Sequence, residues 1–277
     1  MNPFLRLAIL GVAIALPCAV EGATESNKYA LVAAMGDRFV AGHEVTHTGS
    51  RLPAWRKRPL EVEGDGINKI VLASLDTVVA KMHPDAQRIY FSVPLSKSLQ
   101  DRTRSLEENA FEVAVGALRA NPNRGEWHRI VLITPSNRVV ANEGLAADTQ
   151  GMGLFTQGLC QSDIRDCDRR RTNSGVEVTT PKGEKVKADR FVAPYFFAKI
   201  WILDPVSLAV LDTEVVADHA KYGDPDSDAM NQNAVLDRKF LTARIVQQVE
   251  TSTAEAVKRS ELRGKVDVKD LGEAKPK

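Results

Sequence analysis

The sequence predicts an α/β fold of α+β-like character, a mixed β-sheet built from hairpins with two or three helices packed on it, in a single main domain. Three observations carry this expectation. Short apolar runs are punctuated by Gly-Asp and Asp-Pro pairs, which mark strands and turns. Between them lie stretches whose apolar residues recur every three or four positions, the stride of a helix. The order, hairpin, helix, strand, helix, strand, hairpin, helix, is that of helices laid on a mixed sheet.

Each element follows from its residues. Lys28 to Met35 (KYALVAAM) is apolar, and Phe39 to Thr48 alternates, with Phe39, Ala41, His43, Val45 and His47 on one side. The Gly36-Asp37 pair between these runs predicts a β-hairpin. Arg51 to Pro59 reads as a proline-bounded basic loop. After Asp65-Gly66, the spacing of Ile67, Ile70, Val71, Leu75, Val78, Val79 and Met82 predicts a helix that Pro84 ends. Arg88 to Val93 (RIYFSV) is a strand, and Leu99 to Leu118 a second helix closing before Asn121-Pro122. Arg129 to Thr134 (RIVLIT) is continuously apolar, as in a strand buried on both faces.

From about 142 to 175 the periodicity is lost among Gly, Asp and Arg residues, so an irregular loop is expected there. Val176 to Asp189 reads as a small hairpin around Pro181-Lys182-Gly183. Tyr195 to Leu203 and Leu208 to Val216, joined at Asp204-Pro205, form the strongest hairpin signal of the chain. Asp228 is the expected N-cap of a last helix carrying Leu241, Ile245, Val249 and Ala256 on one face. After Gly264 the charged tail GKVDVKDLGEAKPK reads as disordered. In arrangement, and with no shared motif, the KIWILDPVSLAVL hairpin followed by a C-terminal helix resembles the periplasmic α/β modules of the TolB N-terminal and CsgG-like curli-assembly kind.

Composition narrows the function. Of 277 residues, 43% are hydrophobic and 26% charged, which argues against wholesale disorder and against a multi-span membrane protein. The formal net charge of +1 gives no global reason to bind nucleic acid or an acidic membrane surface. Arg6, the apolar run Leu7 to Leu16, and the small residues Val20 and Gly22 read as a signal peptide over residues 1–22, cleaved after Gly22. That run is too short to cross a bilayer as a helix, which takes about 20 residues. The expectation is a soluble exported protein, periplasmic or secreted, with its domain over 23–263 and no transmembrane span. Cleavage removes Cys18 and leaves Cys160 and Cys167, an even pair that reads as one disulfide in an oxidising compartment.

One motif carries chemistry. His43-Glu44-Val45-Thr46-His47 is HExxH, and it resembles the zinc-binding helix of zincin metallopeptidases. The resemblance implies zinc held by His43 and His47, with Glu44 as general base. Against it, Gly42, Val45, Thr46, Thr48 and Gly49 are poor helix formers, and the alternation fits a strand. In a strand, four residues span about 13 Å, too far for two imidazoles to share one metal at about 2 Å. No third ligand follows at the expected spacing either.

Other signals are incomplete. Gly36-Asp37-Arg38 resembles the first block of the GDSL/SGNH esterases, but Arg38 stands where that family has its serine nucleophile. Asp224, Asp226 and Asp228 alternate like the start of a calcium loop, yet Ala229 and Val235 occupy the positions that need glycine and glutamate. Arg51, Trp55, Arg56, Lys57 and Arg58 interleave an aromatic residue with cations and suit an anion or an acidic partner. The leading expectation is thus a non-enzymatic envelope interaction or binding module without a cofactor. Its partner would be an envelope or extracellular protein or a small ligand. The alternative is a zinc-dependent metallopeptidase centred on 43–47.

Overall fold

A computed structural model describes residues 27–44, 55–101, 105–138, 149–156, 176–188, 191–223, 237–260 and 262. The strands are β1 (Lys28–Ala33), β2 (Arg38–Glu44), β3 (Trp55–Glu61), β4 (Gln87–Ser92), β5 (Arg129–Pro135), β6 (Asn137–Arg138), β7 (Thr149–Thr156), β8 (Val176–Thr179), β9 (Lys185–Ala188), β10 (Val192–Leu203) and β11 (Val210–His219). The helices are α1 (Gly66–Met82), α2 (Lys97–Gln100), α3 (Leu106–Arg119) and α4 (Arg238–Arg259). Mixed sheet and flanking helices are those the sequence predicts.

The registers show how nine strands make a sheet only five strands wide. β11 runs along one side of β10 from Tyr195 to Leu203. On the other side, β7 covers Val192 to Phe197 and β5 covers Ala198 to Leu203, so β5 and β7 lie end to end. β1 runs parallel to β5, and β2 parallel to β7, so β1 and β2 also lie end to end. Beyond them, β4 pairs parallel with β1 and β3 antiparallel with β2.

Several expected elements are corrected by this layout. Lys28 to Glu44 is not a hairpin: at Gly36, with φ 80°, the chain kinks and continues in the same direction. The true hairpin is β2 with β3, which turns the expected basic loop into a strand from Trp55 onward. The helix expected from Leu99 to Leu118 is split into α2 and α3. Thr149–Thr156, inside the stretch expected to be irregular, is the strand β7. Asp228 lies outside the described residues, and the last helix is entered at Asp237.

Both faces of the sheet are covered. On one, α1 and α4 pack over Leu31, Val131, Ile133, Ile200 and Val216. On the other, α3 packs over Ala30, Val32, Ile130 and Leu132, while the β8–β9 hairpin covers Phe155, Tyr195 and Phe197. Strands buried on both sides read as continuous apolar runs, which is the pattern of β1, β5 and β10. Among the described residues no helix is long and apolar enough to cross a membrane.

Candidate functional site

A crevice of about 170 Å³ opens where the end-to-end strands meet. Two sequence features break the ladder there. Gly36 takes a positive φ, and a side chain at that position would meet the Gln100 amide oxygen at 2.6 Å. Pro135 is the last residue of β5 and has no N–H to donate, although the Ser136 N–H after it still donates to the Phe197 carbonyl of β10 at 3.0 Å. Just beyond it β6 pairs with Thr149 and Gln150 at the start of β7, and the Gly151 N–H donates to the Ser136 carbonyl at 3.1 Å. The break falls at the carboxyl ends of the parallel strands β1, β4 and β5, and α1 and α3 sit on opposite faces there. Open α/β sheets place ligands at such ends, where the crossovers diverge.

Met35, Val40, Leu106 and Pro135 give the crevice apolar walls. Arg38, Lys57, Gln100 and Asp101 supply its polar groups, and Gln150 contributes from β7. Arg38 Nη1 donates to Asp101 Oδ1 at 2.5 Å, with the arginine largely covered and the aspartate exposed. Gln100 is buried, and its Nε2 donates to Asp37 Oδ1 at 2.9 Å and to the Leu95 carbonyl at 2.8 Å. The buried Gln150 Oε1 has no hydrogen-bond partner among the described residues. Among the described residues, the crevice is lined by two cations and one carboxylate.

The walls are braced from both sides. Asn68, fully buried on α1, accepts from the Met35 N–H at 2.8 Å and donates to Asp65 Oδ1 at 2.8 Å and Ser92 Oγ at 2.9 Å. On the α3 side, Glu107 accepts from Ser136 Oγ at 2.8 Å and from Lys199 Nζ at 3.0 Å. Lys199 also lies 4.0 Å over the Trp201 ring. At the far end of the parallel strands, Tyr29 stacks on His83 at 4.9 Å and meets His128 edge-on at 5.6 Å. Desolvation by its packing, with Arg129 and His83 adding positive charge, lowers the His128 pKa below the ordinary imidazole value.

The site residues expected from sequence are dispersed. His43 is exposed on β2, Glu44 is the last residue of that strand, and His47 lies outside the described residues. Extended backbone through His43 and Glu44 replaces the helix that an HExxH zinc site requires. Arg56 pairs with His43 and Arg58 with Ala41 on one face of the hairpin, while Lys57 alternates to the other face, where it reaches the crevice. Trp55 opens β3, and Arg51, Cys160, Cys167 and Asp224, Asp226 and Asp228 lie outside the described residues. Among the described residues no three His, Cys, Asp or Glu side chains cluster as metal ligands would.

Sequence reasoning missed Gln100, Asp101 and Gln150, and it weighed Arg38 only as a misplaced nucleophile. The available signal was positional: Arg38 follows a Gly-Asp pair at the end of an apolar strand.

Comparison with protein-family models finds no match, and neither does comparison with curated proteins. Among solved structures, a neuraminyllactose-binding hemagglutinin homolog from Helicobacter pylori aligns over 86% of each chain, at 6% identity and a TM-score of 0.36. A Xanthomonas campestris protein of the DUF330 family aligns over 84% of this chain and 83% of its own, at 9% identity and a TM-score of 0.34. Likeness at this level transfers no function.

Proposed function

We propose that this chain is a non-enzymatic binding module of the cell envelope, which holds an anionic side chain of a partner protein in the crevice between β1–β2 and β5–β7. The observation that carries the reading is the convergence of Arg38 and Lys57 over an apolar floor in about 170 Å³. Pockets for drug-sized ligands run to roughly 300–1,000 Å³. A single carboxylate-bearing side chain fits the smaller volume, with its anion beside Lys57 and competing with Asp101 for Arg38, and its stem on Met35 and Leu106. Arg56 and Arg58 on the neighbouring edge would speed the encounter with an acidic partner.

Export over residues 1–22 and a Cys160–Cys167 disulfide belong to the same reading. The mass of the secreted protein tests the first, and thiol labelling with and without reductant tests the second. The binding test places a photo-crosslinking residue at position 59 and expresses the full chain in its native compartment. One dominant protein adduct is expected, and it should disappear when Arg38 and Lys57 are both changed to Gln. An adduct indifferent to those two charges would overturn the reading.

A further inference from the structure

The opposite side of the sheet carries a second surface of different chemistry. Among the described residues, β11 pairs only with β10, so its outer side offers backbone groups to another strand, although the Thr213 N–H already donates to Asp212 Oδ1 at 2.8 Å. The other edge, at β3, is guarded by Pro59 and three consecutive cations. β11 contains neither proline nor lysine. Its Leu211 and Val215 are 40% and 53% exposed on the α3 side of the sheet, and Val206, in the turn before it, is 64% exposed.

The opposite face of the same strand is acidic. Asp212, Glu214 and Asp218 alternate along it, facing α4. Arg259 answers Glu214 at 3.2 Å, and Ser252 Oγ donates to Asp218 at 2.6 Å. Asp218 and Arg259 also line a polar hollow of about 410 Å³ with Glu255 and Arg138. Among the described residues, the carboxylates Asp212, Glu214, Asp218 and Glu255 outnumber the arginines Arg138 and Arg259 on this face, and apolar side chains lie on the other.

We infer that the edge of β11 is an interaction surface for an extended segment of another protein in which Lys or Arg alternates with branched apolar residues. Such a segment adds as a further strand, sets its cations along Asp212, Glu214 and Asp218, and covers Leu211 and Val215 with its apolar side chains. A second copy of this chain suits the edge poorly. Pairing β11 with itself so that Val215 meets Val215 sets Asp212 opposite Asp218 at two places, a like-charge arrangement. Adding β3 of a second copy instead brings Pro59, which has no N–H to donate.

The experiment titrates the full chain with two blocked eight-residue peptides, one alternating lysine with valine and one alternating glutamate with valine, at low and high salt. The lysine peptide is expected to bind, to slow amide exchange along β11, and to weaken as salt rises. Val215→Lys and Asp212→Lys should each reduce its affinity about tenfold, while the fold stays intact by amide spectra. Absence of binding, equal binding of the glutamate peptide, or shifts centred on Arg38 and Lys57 would overturn the inference. So would β11 edge amides already protected in the free protein, which would assign the edge to this chain's own residues. Sedimentation showing a dimer that Val215→Lys abolishes would assign it to a second copy.

Discussion

Gly153 shows how one residue type decides a strand. It pairs with Tyr195 across the sheet, and a methyl group there would fall on the Val40 carbonyl oxygen and the Tyr195 hydroxyl. The tyrosine ring lies over the space the missing side chain leaves, with its hydroxyl donating to Val40 at 3.4 Å. One of the two obstructing atoms is backbone and cannot rotate away. Gly153→Ala is therefore expected to destabilise by about 3 kcal/mol, the upper end of ordinary overpacking, read as a lower urea midpoint at unchanged slope. Gly116, in the interior of α3 with nothing within 4 Å, is the counterpart. Gly116→Ala should stabilise by about 0.5–1 kcal/mol. Equal effects at the two positions would refute this account of β7. Asn68 is decided by polarity: Asn68→Leu fills similar volume but strands the Met35 N–H, at a cost of about 1–3 kcal/mol. The same variant should broaden the amide signals of Met35 and Gly36 beside the crevice.

Elements were legible in proportion to how far local pattern determines them. α1, β5 and the β10–β11 hairpin declare themselves because a helical stride or an unbroken apolar run is the direct imprint of a buried face. β7 does not, because its Gly151 and Gly153 erase the apolar alternation: Gly151 holds a positive φ, and the reason for Gly153 lies in Val40 of β2 and in Tyr195 of β10, some forty residues further on. Gly36-Asp37 signals a change of backbone direction without saying how large, so the local pattern pairs β1 with β2 where the structure does not. Their real neighbours, β5 and β7, are distant in sequence. The candidate site depended on those long-range pairings. Arg38 and Lys57 come together through the β2–β3 hairpin, and Gln100 joins them across the seam. The end of β1 remote from the crevice makes a separate prediction. A histidine whose pKa is lowered by folding takes its proton more readily in the unfolded chain. Its contribution is intact above the ordinary imidazole pKa and is lost as pH falls through the depressed value of His128. The urea midpoint should fall on acidification from neutral pH, and fall less in His128→Gln. A larger fall in the variant would show that folding favours the charged ring.

At the scale of the whole molecule, a sheet five strands wide is covered on both faces and must still manage its edges. β3 does so with charge and with proline, placing Arg56 and Arg58 on one face, Lys57 on the other, and a residue without an N–H between them and Leu60. Leu60 is 40% exposed, so removing the guards would leave a flat apolar edge able to pair with other copies. The triple variant Arg56→Thr, Arg58→Thr, Pro59→Val tests this. It raises β-propensity at each position and leaves the core untouched, so its thermal midpoint should stay within a few degrees of the parent. It also takes the formal charge of the sequence from +1 to −1, equal in magnitude, so net repulsion between molecules does not change. Light scattering should nevertheless rise with protein concentration in the variant and stay flat in the parent. Lys187→Thr, which removes an exposed cation from β9 without opening an edge of the main sheet, should behave like the parent. Equal scattering from the two variants would mean that charge alone, wherever it sits, keeps these molecules apart. Scattering confined to the triple variant would mean that Arg56, Arg58 and Pro59 guard the edge, separately from Lys57 on the crevice face.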